Sequence, residues 1–169
     1  MLTKNFYNYM LSKMAKRTIT NGLVTTSGAV CDAVFGANTT SDNMLNYIFH
    51  LVATQNTQGV TIGNGTTPAT ADDYKLESIN DTGFSVVTPS GAAITKDDDG
   101  VSIFATYAIT NTGTEALVIS EIGLTGRLYV SSSTDSALLD RTVLDTPITI
   151  NPGEAKNLTY TIRLNYPTE

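Results

Sequence analysis

One histidine and one cysteine are all that this 169-residue chain offers as an imidazole base or a thiolate. His50 would have to be the base of any Ser–His–Asp relay, which needs a positioned imidazole. It sits in the apolar run Met44–Ala53 with no Ser or Cys partner signalled beside it, so it reads as a core or interface histidine. Cys31 lies among small apolar neighbours between Gly28 and Val34 and reads as a small buried hydrophobe. A zinc site would need carboxylates to complete its ligand set. The run Asp97-Asp98-Asp99-Gly100 invites comparison with a calcium loop. An EF-hand would also place an acid at position 95 and a Glu at 106, and both positions are Thr. An acidic surface turn is the better reading. Gly63-Asn64-Gly65 lacks the Lys of a phosphate cradle and the third Gly of a dinucleotide fingerprint. Two acids brought together in space could hydrolyse a glycoside, but no pair stands out. Thus no catalytic, cofactor-binding or metal-ligating residues are assigned, no cofactor is expected, and the chain reads as a non-enzyme.

The bulk composition agrees with a scaffold. Hydrophobic residues make 41% of the chain and charged residues only 15%, and Thr, Ser, Asn and Gly supply most of the remaining polarity. That mixture suits pleated strands and tight turns, and it is too apolar for disorder. The net charge of −6 is unevenly spread. Lys4, Lys13, Lys16 and Arg17 give residues 1–17 a charge of +4 with no acid; the other 152 residues carry six basic and sixteen acidic side chains, or −10. The body should repel nucleic acid, while the first segment suits an acidic partner. With one cysteine, no internal disulfide forms, and the fold does not depend on an oxidising compartment. No apolar run reaches membrane-spanning length, and no signal peptide is expected.

The elements that would position these residues are mostly strands. Residues 1–17 have helical spacing, with Phe6, Tyr9, Met10, Lys13 and Met14 on one face and Thr3 as the cap. Residues 18–40 read as an extended arm with one strand near Gly28–Val34. Met44–Ala53 fits a strand or a helix, with strand preferred. Val60–Ile62 is a short strand, Gly63–Tyr74 a loop, and Lys75–Ile79 and Phe84–Thr88 are further short strands. Lys96–Gly100 is a turn. Val101–Thr110 alternates cleanly, with Val101, Ile103, Ala105, Tyr107 and Ile109 inward. Asn111–Thr114 then turns the chain into Ala116–Leu124, which predicts a hairpin. Arg127–Val130, the loop Ser131–Asp135 and the strand Ala137–Leu144 follow. Asn151-Pro152-Gly153-Glu154 has type II turn chemistry. It leads into Asn157–Tyr166, where Leu158, Tyr160, Ile162, Leu164 and Tyr166 share one face. Turns every eight to fifteen residues from about position 60 indicate an antiparallel sandwich or barrel.

Two segments carry a family resemblance. Val60–Ser78 resembles a V-x-x-G-x-G-T-T-x-P-x-x-x-D-Y-x-L-E stretch of small structural proteins of tailed bacteriophages. From Ile119 onward, an E-I-G-L strand (Glu121–Leu124), an L-L-x-R strand (Leu138–Arg141) and a P-G-E…Y-T-I strand (Pro152–Ile162) are similar to the C-terminal half of the same proteins. The likeness spans roughly residues 58–166. It implies a β-sandwich that packs against copies of itself and other virion proteins, and it carries over no catalytic residue.

Together these readings predict a mainly β chain: an antiparallel β-sandwich, jelly-roll or immunoglobulin-like, with an N-terminal helix and extended arm. Residues 1–55 would be the arm, reaching other subunits through Lys4, Phe6, Tyr9, Lys13, Lys16 and Arg17, and residues 56–169 the sandwich. Deleting residues 1–40 would then leave the sandwich folded and abolish assembly. The expected role is a structural component at the head–tail collar, tail or baseplate of a virion assembled in the host cytoplasm. Its partners would be copies of itself and portal, collar, tail or capsid proteins, with no membrane and with nucleic acid disfavoured. The alternatives are a capsid decoration or a host-glycan-binding module with the Gly63–Asp73 and Ser131–Asp135 loops as its tip.

Overall fold

The computed structural model describes residues 1–33, 59–87, 93–130 and 133–167. The chain is mainly β, with antiparallel sheets and one N-terminal helix. After helix α1 (Lys4–Ala15) come β1 (Ile19–Val24), β2 (Val30–Ala33), β3 (Gly59–Gly63), β4 (Phe84–Val87), β5 (Ala93–Lys96), β6 (Gly100–Asn111), β7 (Leu117–Val130), β8 (Ser133–Ile150) and β9 (Ala155–Asn165). Met44–Ala53, with His50, lies outside the described residues.

Strands β3, β7 and β8 form one sheet in that order. A second sheet is built around β6, which pairs with β9 over its whole length and with β4 and β5 at its two ends. Strands β1 and β2 make a separate ribbon. Alternation decides which side chains go inside. Ala105, Tyr107 and Ile109 of β6, and Leu158, Tyr160 and Ile162 of β9, meet Ile119, Ile122, Leu124, Leu139 and Ile150 of the other sheet in one hydrophobic cluster. Two polar ties join the sheets inside it. The Tyr160 hydroxyl donates to Asp140 Oδ2 at 2.6 Å, and the Asn111 amide donates to the Ile150 carbonyl at 2.8 Å.

Several expected elements differ. Asn111–Thr114 does not close a hairpin: β6 and β7 belong to different sheets, and Asn111 spends its amide on Glu115 and Ile150 instead. Lys75–Ile79 forms no strand beyond the single bridge Gly63↔Ile79. Strand β1 stands where an arm is expected, and Arg127–Val130 and Ser133–Asp135 belong to the long strands β7 and β8. The turn after β8 forms as read, with Glu154 N–H on the Asn151 carbonyl at 2.9 Å and Gly153 at φ 76°.

The largest difference lies in residues 1–33. Phe6, Tyr9, Leu23 and Ala33 are buried in the same cluster as both sheets. Thr3 occupies the N-cap position, since its carbonyl accepts from Phe6 N–H, but its hydroxyl donates to the Leu138 and Leu139 carbonyls of β8 rather than capping. Asn5 exchanges hydrogen bonds with the Val24 backbone and also donates to Leu138. The described part of the expected arm is packed body. Its apolar side chains find burial within their own chain.

Candidate functional site

Glu121 and Arg141 are charged residues within strands β7 and β8, and both are buried: Glu121 is 0% and Arg141 3% exposed. Alternation in the E-I-G-L strand explains the first. Ile122 and Leu124 face the inter-sheet core, so Glu121 and Gly123 face the opposite side of the sheet. Arg141 is the cross-strand partner of Gly123 and shares that outer face. There the loop Gly63–Ser78 lies over the sheet. Backbone bonds close its ends, Asn64 N–H on the Ser78 carbonyl and Asn80 N–H on the Ile62 carbonyl, and carboxylates hold the rest.

Arg141 Nε donates to Glu121 Oε2 at 2.8 Å and Nη1 to Asp73 Oδ2 at 2.8 Å, while Nη2 reaches Glu77 Oε2 at 3.4 Å. Glu121 in turn accepts backbone N–H groups from Gly65 at 3.2 Å, Glu77 at 3.1 Å and Ser78 at 2.7 Å. Glu77 accepts from the Thr66 and Thr67 backbones and the Thr67 hydroxyl, and Asp73 accepts from the Thr70 backbone and hydroxyl. Every carboxylate in the cluster has a donor, which is the condition for burying charge at tolerable cost.

The glycines of the loop are dictated by this packing. A Cβ on Gly63 would lie 2.4 Å from the Ser78 carbonyl oxygen. One on Gly65 would lie 2.6 Å from both Glu121 Oε1 and Glu77 Cβ. Only glycine lets the backbone come this near the buried carboxylate. Gly123 plays a similar part, leaving room for Leu76 and Leu138 to close the apolar floor under the loop.

The electrostatics follow from the donors. Hydrogen bonds from Thr67, first from its backbone, and the nearby Arg141 charge hold Glu77 below the usual carboxylate range. Burial pushes Asp73 up, but its bonds from Arg141 and Thr70 outweigh that and leave it lowered. Burial would lower the Arg141 pKa, yet Asp73 and Glu121 raise it. A general acid needs a carboxyl pushed upward, and here Asp73 and Glu77 are pushed down. Hollows of about 370 Å³ and 250 Å³ flank the guanidinium, the first lined by Thr66, Pro68 and Thr142, the second by Thr67, Tyr74 and Lys75.

The expected interface residues separate. Phe6 and Tyr9 are 8% and 2% exposed and face their own core, so they have no surface to give a partner. Lys4 pairs with Asp72 of the loop. Lys16 and Arg17 are exposed, and Lys13 lies within α1. In the acidic turn, Asp97 is taken by Arg163 Nη1 and Nη2 at 2.8 Å each, and among the described residues no group of three His, Cys, Asp or Glu side chains could hold a metal ion. Cys31 is half-buried beside the core. No described helix is long and apolar enough to cross a membrane.

The Glu121–Arg141 centre is absent from the expected sites. Its sequence signal was Glu121, the lone charge in E-I-G-L, together with two close glycines, while Arg141 follows Asp140 and does not stand out. No protein-family model, curated protein or solved structure matches this chain.

Proposed function

We propose that this chain is a non-catalytic structural subunit of a tailed-phage virion, working by contact with copies of itself and with other virion proteins at the collar, tail or baseplate. The observation that carries the reading is where the residues of the resemblance lie. Gly63, Gly65, Asp73 and Glu77 of the first segment, Glu121 of the E-I-G-L strand and Arg141 of the L-L-x-R strand pack into one cluster. Residues that resemble a family at three separate places in the sequence thus serve one physical task, fixing a loop on a sheet. That task is architectural. The cluster's carboxylates are committed to Arg141 and to backbone donors, and Asp73 and Glu77 are lowered rather than poised for proton transfer.

The test is to look for the protein in particles. Phage particles banded from a lysate of a host carrying this gene are expected to contain the chain at a fixed stoichiometry to the portal or tail protein. The gene is expected to sit among portal, capsid and tail genes. A chain that stays in the soluble lysate, encoded away from any virion gene, defeats the reading.

A further inference from the structure

We propose that the outer face of α1 docks on a second copy of this chain, on the open end of sheet β5–β6–β9. This inference rests on the reading of the chain as a self-assembling subunit and names the surfaces involved.

The first surface is the solvent side of α1. Tyr7, Leu11 and Met14 recur at i, i+4 and i+7 and form one stripe, 58%, 56% and 77% exposed. The opposite face, with Asn5, Phe6, Tyr9 and Ser12, is buried, so the helix is fixed and the stripe is presented rigidly. The Tyr7 ring stands edge-on to Phe6, 5.7 Å between centroids at 86°, which steadies it. Exposed Lys16 and Arg17 follow at the end of the stripe.

The second surface is the far end of the core-facing side of the other sheet. Cross-strand partners share a face, so Ile94, Ile103 and Ile162 form one row and Lys96, Val101 and Leu164 the next. Ile162 is buried, but the rows run out beyond the core. Ile94 is 69%, Leu164 54% and Tyr166 41% exposed, with Val101 and Ile103 half-buried between them. The acidic turn borders this patch, and Tyr166 N–H donates to the Asp99 carbonyl at 2.7 Å. Asp97 pairs with Arg163, whose charge also acts on Asp99, while Asp98 makes no ion pair among the described residues.

Charge selects the occupant. The helix end is basic with no acid, whereas the sheet end sets three acids, Asp97, Asp98 and Asp99, against two bases, Lys96 and Arg163. More broadly, residues 1–17 have a charge of +4 and the remainder −10, so a second copy presents an acidic body to the helix. Helix against helix would oppose like charges, whereas helix against sheet pairs unlike charges around a shared apolar centre. Such a contact joins two different patches. It is heterologous, and it propagates into a closed ring or an open filament.

The experiment uses the full chain and two double variants, Leu11→Glu/Met14→Glu on the helix and Ile94→Lys/Leu164→Lys on the sheet. All four positions are exposed, and a circular dichroism melt confirms folding; Leu11→Ser and Leu164→Ser replace any variant that unfolds. By sedimentation velocity the wild-type chain is expected to form species larger than the monomer as concentration rises. Each variant alone is expected to stay monomeric. An equimolar mixture of the two retains one intact pairing per couple and is expected to stop at a dimer, twice the monomer mass. A wild-type chain that stays monomeric, variants that assemble like wild type, or a mixture that stays monomeric each overturns the inference. Particles that contain the chain while the mixture stays monomeric would sink the inference and leave the subunit reading standing; dimers from a chain absent from particles would do the reverse.

Discussion

Glu121 accepts four hydrogen bonds at 0% exposure, three from the loop backbone and one from Arg141. Removing one partner of such a pair leaves an uncompensated buried charge, a cost of about 3–5 kcal/mol. Arg141→Met and Glu121→Gln are therefore each expected to destabilise strongly in urea denaturation, Arg141→Met the more because it strands Glu121. The double variant should recover part of the loss, and strictly additive effects would show that the two groups do not act as a unit. Tyr107 makes the opposite case. Its hydroxyl is buried with no hydrogen-bond partner among the described residues, while the neighbouring Tyr160 has Asp140. An unsatisfied buried hydroxyl costs about 1–3 kcal/mol, so Tyr107→Phe is expected to raise the denaturation midpoint; a fall would mean that the hydroxyl is satisfied by a bound water. Asp97 contributes to acid stability alongside Asp73 and Glu77, whose carboxyls are also held low. Arg163, together with the Asp99 and Gly100 N–H groups, holds the Asp97 carboxyl at about 2, well below the ordinary value. The folded pKa is depressed, so the contribution is present above the unfolded pKa near 4 and is lost as pH falls toward about 2. Melting temperature should drop over that window, and Asp97→Asn should flatten the drop. An unchanged slope in the variant would remove Asp97 from the account.

Period-two alternation in β6 and β9 gave the inward faces, and the structure puts Ala105, Tyr107, Ile109, Leu158, Tyr160 and Ile162 there. Alternation fixes a side chain's face but not the strand's neighbour. That is why Asn111–Thr114 looks like a hairpin in sequence and is a crossing between sheets in space. Leu164 and Tyr166 continue the inward face in sequence yet are exposed, because β9 outruns the sheet that would cover it. The loop Gly63–Ser78 was legible as a loop but not as a site, since its partners Glu121 and Arg141 lie 40 to 80 residues away and no local period reports them. Helix α1 was legible as a helix. Its apolar side was ambiguous because apolar residues occur around much of its circumference: Phe6 and Tyr9 turn inward, Leu11 and Met14 outward. Burial of Phe6 within the chain makes a definite demand. Phe6→Ala should destabilise the isolated chain by about 3–5 kcal/mol, the ordinary cost of emptying an aromatic site. A variant as stable as wild type in chemical denaturation would show that α1 contributes little to the fold of the single chain.

At the scale of the molecule, residues 1–33 either move with the sheets or open apart from them. Three kinds of contact fasten this segment. The Arg141 N–H donates to the Met1 carbonyl at 3.0 Å, and Thr3 N–H donates to the Leu139 carbonyl at 2.9 Å, so the first residues add to the edge of β8. Asn5 ties α1 to both Val24 and Leu138, and Phe6 and Tyr9 enter the common cluster. An arm waiting for a neighbour would lack all three. It would exchange its amides freely, because local opening is cheap where buried apolar contact is sparse. The packing instead predicts one cooperative unit. In native-state hydrogen exchange, the amides of the central turns of α1 should be protected to nearly the same free energy as those of β7 and β9. Far-ultraviolet and tyrosine near-ultraviolet denaturation curves should coincide. The same fastening bears on assembly: a helix already held against its own sheet loses little freedom when its outer stripe meets a partner, so more of the contact energy remains for affinity. If the α1 amides exchange several kcal/mol more easily than those of β7, the helix opens separately from the sheets. The stripe Tyr7–Leu11–Met14 would then have to be ordered at the moment of docking.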